Sequence, residues 1–217
     1  MIRDMIKLYA NDIGWTLSDE KIGLLETFAS ELKKWNRRLN LTAITRESEI
    51  VIKHLIDSIH LAPYISDDDN LLDIGSGAGF PIIPLKIIKS ETGMVSVDSV
   101  SKKINFQRHI IRLLGLQGIE ALHDRVEELP ELYAGKFSFI TSRAFKRLDH
   151  FVALASPLLA KGGRLVAMKG EDADEEISVS RDTFQELGFA VTAIYHYNLP
   201  LNMGKHCLVE VKACEAA

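Results

Sequence analysis

The 217-residue chain carries 26 Lys plus Arg against 30 Asp plus Glu, a net charge of −4, and is 47% hydrophobic. This is the balance of one ordinary globular α/β domain with some extra helix, and it speaks against a surface basic all over while leaving room for a local basic face. No run of about 18 apolar residues is present, charges interrupt the first stretch, and the cysteines (Cys207 and Cys214) are too few for a zinc site, so a cytoplasmic protein with no membrane span is expected. In chain order, Ile22, Leu25, Phe28, Ala29, Leu32, Trp35 and Leu39 recur at helical steps. Ser18 is placed to cap that helix, and Asp19 and Glu20 suit its positive first turn. A second helix is expected after Thr45, with Ile50, Val51, His54, Leu55, Ser58 and Ile59 on one side. The polar break Ser66-Asp67-Asp68-Asp69-Asn70 then divides a helical extension, residues 1–66, from an α/β domain, residues 67–217.

Beyond the break, short apolar runs alternate with helical stretches. Strands are predicted over Leu71–Ile74, Met94–Asp98, Ile119–Leu122, Phe137–Thr141, Arg164–Met168, Ala190–Tyr197 and Cys207–Val211. Helices are predicted over Pro81–Lys89, Lys102–Leu114, Leu148–Ala160 and Glu175–Leu187. Crossovers of that length imply a parallel sheet, and the short loop between the last two strands implies an antiparallel edge hairpin. The expected fold is therefore α/β: a Rossmann-like, mostly parallel seven-stranded sheet ending in an antiparallel hairpin, with an N-terminal helical extension. This is the plan of the seven-stranded methyltransferases.

The first strand runs into Gly75-Ser76-Gly77-Ala78-Gly79, a bend free of side chains at alternate positions that lets a ligand approach the backbone. The dinucleotide fingerprint G-x-G-x-x-G would place its last glycine at position 80, where Phe80 stands. The shorter G-x-G-x-G spacing is the usual S-adenosylmethionine loop, and a nicotinamide dinucleotide is the competing ligand. The second strand ends in Asp98, placed to accept both hydroxyls of a ribose. Asp124-Arg125-Val126-Glu127 follows the third strand, where an adenine is usually held, and Thr141-Ser142-Arg143-Ala144-Phe145 follows the fourth, which points Arg143 at the crevice.

At these residues the chain resembles the RsmG (GidB) family of bacterial ribosomal-RNA methyltransferases. The resemblance runs through Trp35-Asn36, Asn40-Leu41-Thr42, His54-Leu55-Ile56-Asp57-Ser58, and the loop from Asp73 to Pro81. It continues through Leu85, Asp98-Ser99, Lys102-Lys103, Arg125-Val126-Glu127-Glu128, Ser142-Arg143-Ala144 and Lys169-Gly170. It implies methylation of a guanine at N7 in the decoding region of small-subunit ribosomal RNA, and contact of Gly75, Phe80, Val126, Glu127 and Arg143 with the cofactor. With the loop motif and the strand end, the expected cofactor set is Asp73, Gly75, Gly77, Gly79, Phe80, Asp98, Val126, Glu127 and Arg143. The family pattern F-P-G-I-P after the loop is here Phe80-Pro81-Ile82-Ile83-Pro84, which adds bulk at the start of the next helix.

Guanine N7 carries a free lone pair and no proton, so placement and electrostatics suffice and no general base is expected. Arg143 is the one candidate catalytic residue. His54 and Asp57 stand three apart, a spacing open to metal ligation, but the reading preferred here is that they hydrogen-bond at the joint between extension and sheet; no metal is expected. Basic clusters occur at Lys33, Lys34, Arg37 and Arg38, at Lys102, Lys103, Arg108 and Arg112, and at Arg143, Lys146 and Arg147. Arg125, Lys146 and Arg147 are the expected RNA contacts, and Phe145 is a candidate platform for an unstacked base. The expected protein is a monomer acting on small-subunit ribosomal RNA within the subunit. The alternatives are a methyltransferase for a small molecule or protein, or an assembly factor that transfers nothing.

Overall fold

In a computed structural model, which describes residues 1–143, 145 and 147–214, seven strands form one sheet of order β3-β2-β1-β4-β5-β7-β6. They are β1 (Asn70–Ile74), β2 (Gly93–Asp98), β3 (Ile119–His123), β4 (Phe137–Ser142), β5 (Leu159–Lys169), β6 (Phe189–Asn198) and β7 (Lys205–Ala213). The first five run parallel, with Leu72 beside Val95 on one flank and Ile140 on the other, and β7 lies antiparallel to both β5 and β6. Chain order reverses between β1 and β4, and a crevice opens at that switch point beyond the carboxyl ends of the strands. No described helix is long and apolar enough to cross a membrane.

Three helical pieces precede the sheet. The sequence reading assigned no element to residues 2–12; they form α1 (Ile2–Asp12), which buries Ile6 and Ala10. In α2 (Asp19–Leu39) the Ser18 hydroxyl accepts the Lys21 amide at 3.2 Å, and Asn40, left-handed at φ 48°, ends the helix. The third piece is continuous over residues 47–59: α3 (Glu47–Glu49), a π-helical stretch Ile50–Ile56, and α4 (Asp57–Ile59). The π winding departs from the simple helix expected after Thr45.

These pieces share one core with α5 (Ile82–Ile88), α6 (Ser101–Leu113) and one face of the sheet, in which Phe28 lies 4.9 Å from Phe80 and 6.1 Å from Phe106, centroid to centroid. Ile82, where the family carries glycine, is fully buried there, so its bulk is packing area. The opposite face is covered by α7 (Pro130–Tyr133), α8 (Leu148–Ala155) and α9 (Ala173–Leu187). Helix α8 stops at Ala155, short of the expected Ala160, because Ser156-Pro157 turns the chain and β5 starts at Leu159. The polar break at residues 66–70 is a fastened corner rather than a loose linker. The buried Asp69 carboxylate there accepts from the Ser66 amide (2.8 Å), the Ser138 hydroxyl (2.7 Å) and Arg164 (2.6 Å).

Candidate active site

The loop after β1 is stitched to its neighbours through the backbone. The amides of Gly75 and Ser76 both donate to Val97 O, at 2.9 and 3.3 Å, and those of Gly79 and Phe80 donate to Ser76 O at 2.9 Å. The Asp98 carboxylate, at the end of β2, accepts the Gly77 amide at 2.9 Å and the Val100 amide at 2.8 Å. The sequence reading missed Gln107, fully buried on α6. Its amide nitrogen donates to Ser76 Oγ (2.7 Å) and Gly77 O (2.8 Å), while its oxygen accepts the Ser96 hydroxyl (2.6 Å). A glutamine amid helical positions gives no local signal, because its partners lie on β2 and in the loop.

The three glycines do different work. Gly75, Gly77 and Gly79 all have positive φ (71°, 58° and 94°), which disfavours any side chain. A Cβ on Gly77 would meet nothing within 4 Å, and one on Gly75 only the Phe145 ring at 3.8 Å. On Gly79 it would stand 2.5 Å from Ile83 Cγ1, so this glycine also makes room for helix packing.

Beside the loop lies a cavity of about 570 Å³. Ile74, Gly75 and Val97 form its floor, Asp98 and Lys103 one wall, and Arg125, Val126 and Glu127 another, with Phe145, His150 and Leu154 opposite. Thus Gly75, Asp98, Val126 and Glu127 come together as expected, joined by Arg125, which had been read as an RNA contact. Val126 and Glu127 open a 3₁₀ turn whose first amides have no partner within the helix. Asp73 lies outside the lining. It is wholly buried, neither carboxyl oxygen has a hydrogen-bond partner among the described residues, and desolvation pushes its pKa well above the carboxylate range. Arg147 is exposed and paired with Asp149 through Nε at 3.0 Å, and Lys146 lies outside the described residues.

Phe80 and Arg143 also lie outside the cavity, at the far end of the loop. The Phe80 ring is buried, stacked 4.3 Å from His54, with the Arg143 guanidinium 5.2 Å from its centroid. Arg143 donates to Lys53 O (2.9 Å), His54 Nδ1 (3.0 Å) and Asp57 Oδ2 (3.4 Å). Because Arg143 can only donate, His54 accepts through Nδ1 and carries its proton on Nε2, which donates to Thr42 Oγ1 at 3.0 Å. Burial and the Arg143 charge push the His54 pKa down to about 3, so the ring is neutral. Asp57 Oδ1 accepts Tyr197 Oη–H (2.8 Å) and His206 Nδ1–H (2.9 Å); these bonds and the Arg143 charge outweigh desolvation and hold the carboxylate below its usual range. His54 and Asp57 therefore fasten the extension to the sheet, and among the described residues no group of three ligand side chains could hold a metal.

Of the other basic clusters only Lys103 reaches the cavity, where it faces Asp98 at 3.6 Å. Lys33 pairs with Glu47 and Lys34 with Glu31, Lys102 donates to Leu39 O, and Arg108 donates to Ala121 O.

The family model GidB, rRNA small subunit methyltransferase G, matches residues 21–202. The chain is 46% identical over 205 residues to the ribosomal RNA small subunit methyltransferase G of Geobacter sulfurreducens, covering 94% of each. It is 37% identical over 213 residues to that of Caldanaerobacter subterraneus, covering 96% of this chain and 89% of the relative. A SAM-dependent methyltransferase from Aquifex aeolicus superposes with TM-score 0.60 at 15% identity, over 84% of this chain and 97% of that one. TYW2 from M. jannaschii, solved in complex with AdoMet, superposes with TM-score 0.58 at 12% identity, over 71% of this chain and 73% of that one. At such identities the structures show the shared fold. The sequence matches go further: the chain belongs to the rRNA small subunit methyltransferase G family.

Proposed function

We propose that this protein methylates N7 of a guanine in small-subunit ribosomal RNA, with S-adenosylmethionine as donor and Asp73, Gly75, Gly77, Phe80, Asp98, Val126, Glu127 and Arg143 as its cofactor site. The observation that carries the reading is the pairing of an open glycine bend with two carboxyls, Asp98 on the cavity wall and the unpartnered Asp73 nearby. A carboxylate has about four acceptor positions. Asp98 spends one on each of two backbone amides, which leaves a pair for ribose hydroxyls. The opening amides of the Val126–Glu128 turn suit the ring nitrogens of an adenine. An unpartnered buried carboxyl is costly, and a cationic ligand is the natural compensation. The donor set thus fits a positively charged nucleoside.

Bound S-adenosylmethionine, held by these residues, would supply a sulfonium methyl to the N7 lone pair with its sulfur as leaving atom, chemistry that requires no proton transfer. The protein's part is to align the ligands and keep water out. Gln107 and Asp98 fix the loop from below, and Arg143 stands at its far end. The reaction belongs in the cytoplasm, where ribosomal subunits are.

The test is labelled methyl transfer to small subunits, and to their naked RNA, from a strain without the gene. Label at a guanine N7 is the expected result. Transfer only to other molecules would point to a different acceptor, and no transfer to either RNA form, with the cofactor still bound, to an assembly factor.

A further inference from the structure

A second concavity, about 230 Å³, lies at the other end of the glycine loop. Its walls are Ile44, Lys53, His54, Asp57, Arg143 and His206, drawn from the extension, the segment after β4 and the edge hairpin. The two hollows flank one six-residue bend: Gly75 lines the first, and the Phe80 ring supports the Arg143 guanidinium that walls the second. That is the arrangement a two-ligand transfer needs. Resting on the function proposed above, we infer that this cleft receives the acceptor base and that Lys53 and Arg143 select guanine by donating to its O6.

The cleft, about 230 Å³, is too small for a second nucleoside cofactor but has the volume for one flat heterocycle. Its polar wall is rich in donors. Arg143 has five N–H groups, and its three bonds to Lys53 O, His54 and Asp57 leave two for a ligand. Lys53 is held only by Glu49 at 3.3 Å, a half-exposed pair one turn away on the same helix that yields readily. Near those donors the acceptors are engaged: His54 Nδ1 on Arg143, and buried Asp57 on Arg143, Tyr197 and His206. Guanine presents a carbonyl oxygen beside N7, whereas adenine presents an amine. Beside Lys53 and Arg143, donors take the first and repel the second. With the donors on O6, the N7 lone pair stays free to attack. The Asp57 hub keeps the cleft in shape by tying the helix, Arg143 and the hairpin to one carboxylate.

Three variants test this on small subunits from a strain lacking the gene, with cofactor affinity measured by calorimetry. Ile44→Trp fills the cleft and is expected to lower kcat/KM by about 100-fold or more, with cofactor Kd within about twofold of wild type. Lys53→Met is expected to lower it about 10- to 100-fold, the loss of one hydrogen bond from a charged group, and Lys53→Arg, which keeps the donors, to restore it to within about threefold. Transfer by Ile44→Trp within about threefold of wild type, at unchanged melting temperature, overturns the inference. Should that variant fail to fold, Lys53→Met decides alone: full activity there overturns it equally. Wild-type protein inactive on every RNA would instead sink the function on which the inference rests.

Discussion

Gly77 and Gly79 share a left-handed backbone two residues apart, but a side chain would meet open space at one and Ile83 at the other. Gly77→Ala should therefore cost about 1–2 kcal/mol, the left-handed penalty alone. Gly79→Ala adds overpacking of about 1–3 kcal/mol, so denaturant midpoints should fall clearly further for it. Equal losses would show that Gly79 does not pack α5. Asp98→Ala removes a ribose acceptor and should weaken cofactor binding by about 1.5–3 kcal/mol, the range for hydrogen bonds to a charged group. Calorimetry that finds unchanged affinity removes Asp98 from the site. Its position at a strand end made it legible in the sequence. Its hold on the Gly77 amide was not, since that amide comes from a loop twenty-one residues away.

Among the elements, α6 governs the loop more than the loop governs itself. Gln107→Leu keeps the volume nearly constant but strands the buried Ser76 hydroxyl and the part-buried Gly77 carbonyl, and leaves the Ser96 hydroxyl only its 3.4 Å bond to Glu120 O. Each unsatisfied group costs about 1–3 kcal/mol, so a loss of at least about 2 kcal/mol of stability and a weaker cofactor complex should appear together. Intact cofactor affinity in a folded variant would show the loop to be self-supporting. The π stretch Ile50–Ile56 serves a similar end: Lys53 O, His54 and Asp57, all on that helical segment, gather around one guanidinium. Helical spacing put His54 and Asp57 on one side in the sequence; their common partner Arg143 lay some ninety residues on.

At the scale of the molecule, stability should depend on pH. His54 and His60 are buried neutral, with pKa values pushed by desolvation down to about 3 and about 4. The unfolded chain protonates both below about 6.5 while the folded chain does not, so stability rises with pH across roughly 4–6.5. Desolvation, which pushes the Asp73 carboxyl up, acts the other way. Two histidines against one carboxyl leave a net loss of stability on going from pH 6.5 to 5. Urea unfolding at both pH values checks this, and a flat profile would mean that the histidines are open to water.

Period, glycine spacing and terminal acids are written in the sequence, because strand, bend and helix are chosen by neighbours a few residues apart. They determined the sheet, the direction of its edge hairpin and the position of the glycine loop. Tertiary structure decided which of those residues meet. It packed Gly79 against Ile83, turned Arg125 into a cavity wall, and brought Arg143, Asp57 and His206 together from three distant segments. Side-chain hydrogen bonds between remote segments leave no local pattern, since burial and not spacing selects the partners.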